Sequence, residues 1–166
     1  MNAPAARGKS VLPIATKPRS LSAMPNDEHP SGLAAGQIDM LRKRATVAAA
    51  SAHAPYSRFR VGAAVLLESG EIFTGCNVEN ASFGLTNCAE RSAVFTAVSQ
   101  LGGGIRIRAV AIVNLNQAAS APCGACRQVL LEFSGPDTWI FFPGPKGDAD
   151  ARFSDILPFA FHLPTE

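Results

Sequence analysis

The sequence lacks any apolar run of about 18 or more residues, so it predicts no membrane-spanning helix. Charge is also sparse: charged residues make up 17% of 166, and the formal net charge is +2. That excess lies in residues 1–26, which hold four basic side chains and no acidic one, whereas residues 38–166 carry 11 of each sign. The chain has one Tyr and one Trp. A neutral body with so few stacking side chains argues against a groove that edits single-stranded nucleic acid.

The organisation of the chain changes near residue 37. Residues 1–36 are rich in Ala, Pro, Ser and Gly and show no sustained periodicity, which predicts a disordered N-terminal extension. A targeting peptide is the alternative, since the first part of this segment is basic and contains Ser. Periodic apolar patterns begin at Ile38, so residues 37–166 are predicted to form one domain.

The apolar periodicity in this domain predicts alternating elements. Helices are expected at 38–52, 88–100 and 123–133, with a short one beginning at 153. Strands are expected at 59–67, 72–76, 107–114 and 138–142, and the Gly/Pro/Asp-rich run 143–150 is expected to be a turn. A hairpin followed by strands that alternate with helices predicts a three-layer α/β/α sandwich with a mixed sheet of about five strands.

Three of the four cysteines stand where a loop is predicted to become a helix. Cys88 begins one such helix, and Cys123 and Cys126 share a face of the first turn of another. Helix N-termini favour thiolates, which are the form that binds metal. Two disulfides are the alternative use of four cysteines, but a chain of 17.4 kDa can bury a core without them. Cys76, at a strand end, is predicted to be a small buried core residue.

Three thiolates leave one tetrahedral position of a zinc ion open, whereas structural zinc sites usually close it with a fourth protein ligand. Glu90 lies two residues after Cys88, at the start of the helix, where its carboxylate can reach the same point and move protons. Cys-x-Glu followed by Pro-Cys-x-x-Cys is typical of zinc nucleobase deaminases. Arg91 and Arg127 each follow one of these residues and can hydrogen-bond a thiolate, which would restore acidity to a metal with three negative ligands.

Residues 37–162 resemble the small homotetrameric cytidine deaminases of pyrimidine salvage. Five segments carry the resemblance: 54–57 (Ala-Pro-Tyr-Ser), Phe59 with 61–64 (Val-Gly-Ala-Ala), 75–82 (Gly-Cys-Asn-Val-Glu-Asn-Ala-Ser), 88–91 (Cys-Ala-Glu-Arg) and 122–129 (Pro-Cys-Gly-Ala-Cys-Arg-Gln-Val). The cysteine motifs alone indicate the wider deaminase superfamily. The Asn-Val-Glu-Asn stretch is typical of the branch that acts on free nucleosides.

The resemblance implies a zinc-dependent enzyme that hydrolyses cytidine and 2′-deoxycytidine to the uridine products and ammonia, in the cytoplasm. Cys88, Cys123 and Cys126 would hold one Zn²⁺ per chain, and Glu90 would carry protons from water to N3 and then to the leaving amine. A neutral nucleoside substrate suits the neutral body of the chain.

The same resemblance assigns the substrate contacts. Asn77 and Glu79, two apart on an extended segment, point to the same side and can offer one donor and two acceptors to the ribose 3′-hydroxyl. The backbone N–H of Ala89 would hold the pyrimidine carbonyl, and Phe59 would pack on the base. Phe161 is the candidate for a residue that covers the site of a neighbouring subunit in a homotetramer.

Two other functions remain open at this point. One is deamination of a cytosine-nucleoside antibiotic of the blasticidin S type, which the ribose pair disfavours because that sugar lacks the ordinary 3′-hydroxyl. The other is a structural zinc or dithiol module, since Cys-x-x-Cys also occurs in zinc ribbons and redox sites. Glu90 and the open fourth position weigh against the structural module.

Overall fold

The fold is a mixed five-stranded sheet. The computed structural model describes residues 29–163. Its strands are β1 (Val61–Leu67), β2 (Ile72–Cys76), β3 (Ile107–Asn114), β4 (Ser134–Gly144) and β5 (Gly147–Arg152), in the spatial order β2-β1-β3-β4-β5. Only β3 and β4 run parallel, and the other three neighbouring pairs are antiparallel.

Helices cover both faces of the sheet. They are α1 (Ala35–Ala50), α2 (Ala89–Leu101), α3 (Gly124–Leu131) and α4 (Phe153–Ile156). Ala64 and Leu66 of β1 face α1, where they form one apolar cluster with Leu41 and Ala45. The alternate residues of β1 face the other way and form a second cluster with α2 and α3. This arrangement confirms the predicted α/β/α sandwich with a sheet of about five strands.

Two parts of the structure differ from the sequence-based expectation. Residues 147–152, most of which fall in the predicted turn, form the edge strand β5, which pairs with β4 from Trp139↔Arg152 to Gly144↔Gly147. In addition, residues ahead of the boundary at 37 pack on the sheet: the ring of His29 lies 4.6 Å from that of Trp139, and Leu33 is fully buried. Most of the predicted N-terminal extension, residues 1–28, lies outside the described residues.

Within residues 29–163, no helix combines the length and the apolar character needed to cross a membrane. All four cysteines of the chain are free thiols, so the disulfide alternative is not realised.

The sheet places α2 through a close backbone contact at Gly75. A Cβ atom at Gly75 would lie 2.3 Å from the backbone nitrogen of Ala93 and 2.7 Å from the carbonyl oxygen of Ala89. Both atoms belong to the helix backbone and cannot turn aside. Only glycine therefore lets β2 and α2 approach this closely, and α2 is the helix that begins next to Cys88 and carries Glu90.

We expect Gly75→Ala to lower the free energy of unfolding by about 1–3 kcal/mol, because the added methyl group pushes α2 away from the sheet. Denaturant titration measures the loss. Gly104→Ala is the matched control, since nothing lies within 4 Å of a Cβ built there. Equal stability of the two variants would show that the contact at Gly75 is not a constraint on the fold.

Candidate metal centre and active site

Three thiols meet where two helices begin. Cys88 is the N-cap residue of α2, Cys123 is the N-cap residue of α3, and Cys126 lies in the first turn of α3. The Sγ atoms of Cys88 and Cys123 are 3.9 Å apart, and those of Cys123 and Cys126 are 3.5 Å apart. All three sulfur atoms lie within 4.8 Å of one another.

The spacing of these sulfurs fits a tetrahedral zinc ion. Zinc–sulfur bonds of about 2.3 Å at tetrahedral angles place neighbouring sulfurs about 3.8 Å apart. The two measured separations bracket that value. The donor set is soft and anionic, as zinc prefers, and three sulfurs leave one position open. The cluster is therefore compatible with one zinc per chain.

The surroundings of the cluster favour a thiolate at Cys88. A hydrogen bond from the thiol of Cys126 and the guanidinium of Arg91 lower the pKa of Cys88 to about 5, against the opposing effect of burial. Arg91 Nη2 lies 3.6 Å from Cys88 Sγ and also donates to the carbonyl oxygen of Thr86 at 3.1 Å. The hydrogen bond between the Cys126 thiol and Cys88 is the main reason that the pKa of Cys126 is raised, and burial and the negative charge at Cys88 add to the effect.

Glu90 sits in the first turn of α2 with only 5% of its surface exposed. Burial is the main reason that its carboxyl pKa is raised, and the adjacent thiolate of Cys88 adds to the effect. A raised pKa brings the carboxyl closer to neutral pH, where one group can both accept and give a proton. The structure thus brings the carboxyl of Glu90 beside the thiol cluster, with its pKa raised.

The cluster opens into a cavity of about 430 Å³ at the edge where β2 and β3 end and β1 begins. Phe59 forms part of its wall, and Ala89, fully buried, lies at the N-terminus of α2 where backbone N–H groups have no intrahelical partner. The other lining residues are Ser57, Val61, Asn77, Glu79, Thr86, Asn87, Cys88, Glu90, Ile112, Ser120, Ala121 and Cys123.

Asn77 lines this cavity, and both its amide oxygen and its amide nitrogen already bond to the backbone. Its Oδ1 accepts from the backbone N–H of Val61 at 2.8 Å, and its Nδ2 donates to the carbonyl oxygen of Phe59 at 2.7 Å. One N–H of the amide remains for a ligand. The sequence predicts that Asn77 and Glu79 together offer one donor and two acceptors, and in the structure one lone pair of the Asn77 amide oxygen is engaged by Val61.

Glu79 is the acceptor of the pair. Its carboxylate accepts from the backbone N–H groups of Tyr56 and Ser57, at 2.9 and 3.2 Å, and from the Ser57 hydroxyl. The hydrogen bond from the Ser57 side chain is the largest cause of its lowered pKa, so the group stays ionised. Asn77 and Glu79 together therefore present an amide N–H donor and an ionised carboxylate acceptor to the cavity.

One predicted site residue, Arg127, makes different contacts from those that the sequence predicts. Arg127 does not bond a ligand sulfur: its guanidinium donates to the carbonyl oxygens of Pro122 and Ile156, at 2.8 and 2.7 Å. The side chain of Phe161 is 66% exposed and takes no part in the cavity wall of its own chain. Cys76 is half-buried rather than fully buried, and it lies outside the thiol cluster.

Sequence reasoning also passed over Ser57, which holds Glu79 in place. The sequence shows its motif, Ala-Pro-Tyr-Ser, only as the segment that ends the first helix. The hydroxyl's partner, 22 positions further along the chain, was not visible.

Comparison with known proteins agrees with this site. Residues 37–142 match the family described as the cytidine and deoxycytidylate deaminase zinc-binding region. The chain belongs to this family of deaminases. The cytidine deaminase of Mycobacterium tuberculosis is 52% identical over 126 residues, which cover 75% of this chain and 90% of that protein. The cytidine deaminase of Halalkalibacterium halodurans is 46% identical over 123 residues, covering 74% and 92%.

Solved structures of this family share the fold. The crystal structure of cytidine deaminase from Mycobacterium tuberculosis aligns with a TM-score of 0.66 at 50% identity, covering 75% of this chain and 97% of that one. That of Burkholderia pseudomallei aligns with a TM-score of 0.66 at 42% identity, covering 74% and 98%. The resemblance noted from the motifs is thereby confirmed at the level of the family and of its zinc-binding region.

Proposed function

We propose that the chain hydrolyses cytidine and 2′-deoxycytidine to uridine and 2′-deoxyuridine with release of ammonia. The observation that carries the proposal is the buried carboxyl of Glu90 beside three clustered thiols, two of which line a cavity of about 430 Å³. Cytidine deaminases that are 52% and 46% identical in sequence over about three quarters of this chain support the same reaction.

Cys88, Cys123 and Cys126 are the residues that would hold the zinc ion. When bound, zinc supplies a Lewis acid that makes water a nucleophile at neutral pH. Arg91, which lies against Cys88, offsets part of the negative charge of three thiolates and so preserves that acidity.

Glu90 moves the protons of the reaction. Its carboxylate accepts a proton from the attacking water and gives it to N3 of the pyrimidine, so that C4 can take up the new C–O bond. The second proton of the water then passes through the same carboxyl to the exocyclic amine, which leaves as ammonia when the C–N bond breaks. Burial raises the pKa of the Glu90 carboxyl, which makes the carboxylate a stronger base toward the attacking water.

Asn77 and Glu79 would bind the sugar. A hydroxyl both donates and accepts, and the free N–H of Asn77 together with the carboxylate of Glu79 matches one hydroxyl. The N–H groups at the start of α2, beside Ala89, would hold the pyrimidine carbonyl, and Phe59 would pack on the base.

We expect Glu79→Gln to lower kcat/KM for cytidine by about 10–100-fold, because a hydrogen bond to a charged group contributes about 1.5–3 kcal/mol. Steady-state turnover of cytidine and of free cytosine measures the effect, which should be absent for cytosine. Glu71→Gln is the matched control, since Glu71 also accepts from a nearby serine hydroxyl but lies in the β1–β2 hairpin. An equal loss on both substrates would contradict the ribose role.

We also propose that the deaminase domain includes the residues from His29 that pack on the sheet ahead of the predicted boundary at 37, and that it assembles as a homotetramer in the cytoplasm, where the thiols stay reduced. Large apolar side chains that are exposed in the single chain support assembly, among them Phe83 at 77%, Leu85 at 71% and Phe161 at 66%. In such an assembly Phe161 would cover the site of a neighbouring subunit. Analytical ultracentrifugation distinguishes a tetramer from a monomer.

A substrate panel tests the proposed reaction as a whole. Cytidine, 2′-deoxycytidine, free cytosine and blasticidin S are each incubated with the zinc-loaded protein, and ammonia release is measured. Turnover of the two nucleosides well above that of cytosine and blasticidin S is expected. Turnover of blasticidin S alone would instead assign the site to the antibiotic.

A further inference from the structure

The backbone that carries Phe59 is held by side chains rather than by strands. The ladder between β1 and β3 ends at the pair Val61↔Asn114. Beyond it, residues 58–60 run alongside the cavity with no regular strand partner, and they form part of its wall through Phe59. Their polar backbone groups therefore depend on other partners.

Two asparagine side chains bond to opposite edges of this segment. On one edge, Asn77 bonds the carbonyl oxygen of Phe59 and the N–H of Val61. On the other edge, Asn116 Oδ1 accepts from the N–H of Arg60 at 3.1 Å, and Asn116 Nδ2 donates to the carbonyl oxygen of Arg58 at 3.2 Å. Each side-chain amide bonds one backbone N–H and one backbone carbonyl of the segment, as a neighbouring strand would. Phe59 therefore lies between the two asparagine side chains.

The backbone around Asn116 is itself held by hydrogen bonds. The backbone N–H of Leu115 donates to the carbonyl oxygen of Arg60 at 3.0 Å, which extends the β1–β3 pairing by one step toward it. The N–H of Asn116 donates to Oδ1 of buried Asn114 at 3.0 Å. Asn114 also bonds the Ser120 hydroxyl at 2.8 Å, and Ser120 lines the cavity shortly before Cys123.

The segment also contains a strained residue. Arg58 has a φ of 58°, a left-handed conformation that a long side chain adopts only when its surroundings impose it. The hydrogen bond from Asn116 to the Arg58 carbonyl is one of the contacts that impose it. The N–H groups of Arg58 and Phe59 also donate to the Ala54 carbonyl oxygen and the Ser57 hydroxyl, at 3.1 and 2.9 Å, so loss of the Asn116 bond would loosen the segment and not release it entirely.

We propose that Asn116 is a positioning residue for substrate binding, which fixes the backbone of 58–60 so that Phe59 forms a rigid wall for the pyrimidine ring. The assignment deepens the proposed function and rests on it. Asn116 does not line the cavity, so it acts on the substrate indirectly, and Phe59 is the wall residue in the segment that it bonds. Its effect belongs to the binding of the substrate rather than to the proton transfers at Glu90.

The test is Asn116→Ala in the zinc-loaded enzyme. We expect KM for cytidine to rise about 10-fold while kcat stays within about twofold and zinc content is unchanged, because two hydrogen bonds are lost away from the reacting atoms. Asn116→Asp keeps the acceptor for Arg60 and should give a smaller rise. Gln117→Asn, in the same loop, is the matched control and should leave KM unchanged.

Two further measurements separate positioning from general loosening. In a Phe59→Ala background, Asn116→Ala should add no further rise in KM, because the wall it holds is gone; additive effects would overturn the proposal. Amide hydrogen exchange without substrate should quicken about 10-fold at Phe59 and Val61, whose N–H groups Asn116 does not touch. Faster exchange at Arg60 alone would overturn the proposed role of Asn116, whichever substrate the enzyme uses.

Absence of cytidine turnover by the unaltered protein would count against the proposed function, and the exchange experiment would still decide the role of Asn116.

Discussion

Glu90→Gln is expected to lower kcat for cytidine about 10³- to 10⁴-fold while the protein keeps about one zinc per chain. The amide has nearly the same shape as the carboxyl, so packing at the start of α2 is retained. It cannot accept the proton of the attacking water, nor return one to N3 and to the leaving amine. Because Glu90 is buried beside the thiols, bulk water cannot readily replace it as a proton carrier.

Glu132→Gln is the control for this substitution, since Glu132 is exposed at the end of α3, away from the cavity. Its kcat should match that of the unaltered protein. Metal analysis and cytidine turnover are measured on the same samples. Near-normal turnover in Glu90→Gln would remove Glu90 from the mechanism, whereas loss of zinc in that variant would show that the carboxyl supports the metal site instead.

Cys126→Ser should remove both metal and activity. Zinc sites rich in cysteine are stabilised by about 10–16 kcal/mol in total, so each sulfur accounts for about 3–4 kcal/mol, or on the order of 10³-fold in zinc affinity. Cys126 is fully buried, and the serine hydroxyl that replaces it does not ionise near neutral pH. We therefore expect less than one tenth of the zinc to survive dialysis, with turnover falling in parallel.

Cys76→Ser tests whether this effect is specific. Cys76 is the one free thiol outside the cluster, and it lies at the end of β2, so the substitution changes the same chemical group in the same half of the molecule. Zinc content and turnover should stay near those of the unaltered protein. If both cysteine variants lose zinc equally, the metal is not held by the three thiols identified here.

The metal site was predictable from the sequence because its residues lie in two short segments. Cys88 and Glu90 are two positions apart, and Cys123 and Cys126 are three apart, so the local geometry of a helix start already relates them. Only the meeting of the two segments needs the fold. The α/β/α layering was predictable for a similar reason, since each element bears its own apolar periodicity.

What the sequence did not reveal depends on partners distant in the chain. Strand β5 carries charged side chains at an edge and has no apolar run, so its sequence predicts a turn. The guanidinium of Arg127 reaches the carbonyl of Ile156 rather than a sulfur. The Asn77 amide oxygen accepts from the backbone N–H of Val61, and the Asn116 amide donates to the carbonyl oxygen of Arg58 across 58 positions. No local pattern encodes such side-chain-to-backbone pairs.

The central claim is that a zinc ion held by three thiols serves the deamination of cytidine in this chain. Its most direct test is to remove metal with a chelator and then add zinc back in steps while following cytidine turnover. The account predicts that activity is lost on removal and returns in proportion to bound zinc, reaching its maximum at one zinc per chain. Full activity in the metal-free protein, or none after one zinc per chain is restored, would contradict it.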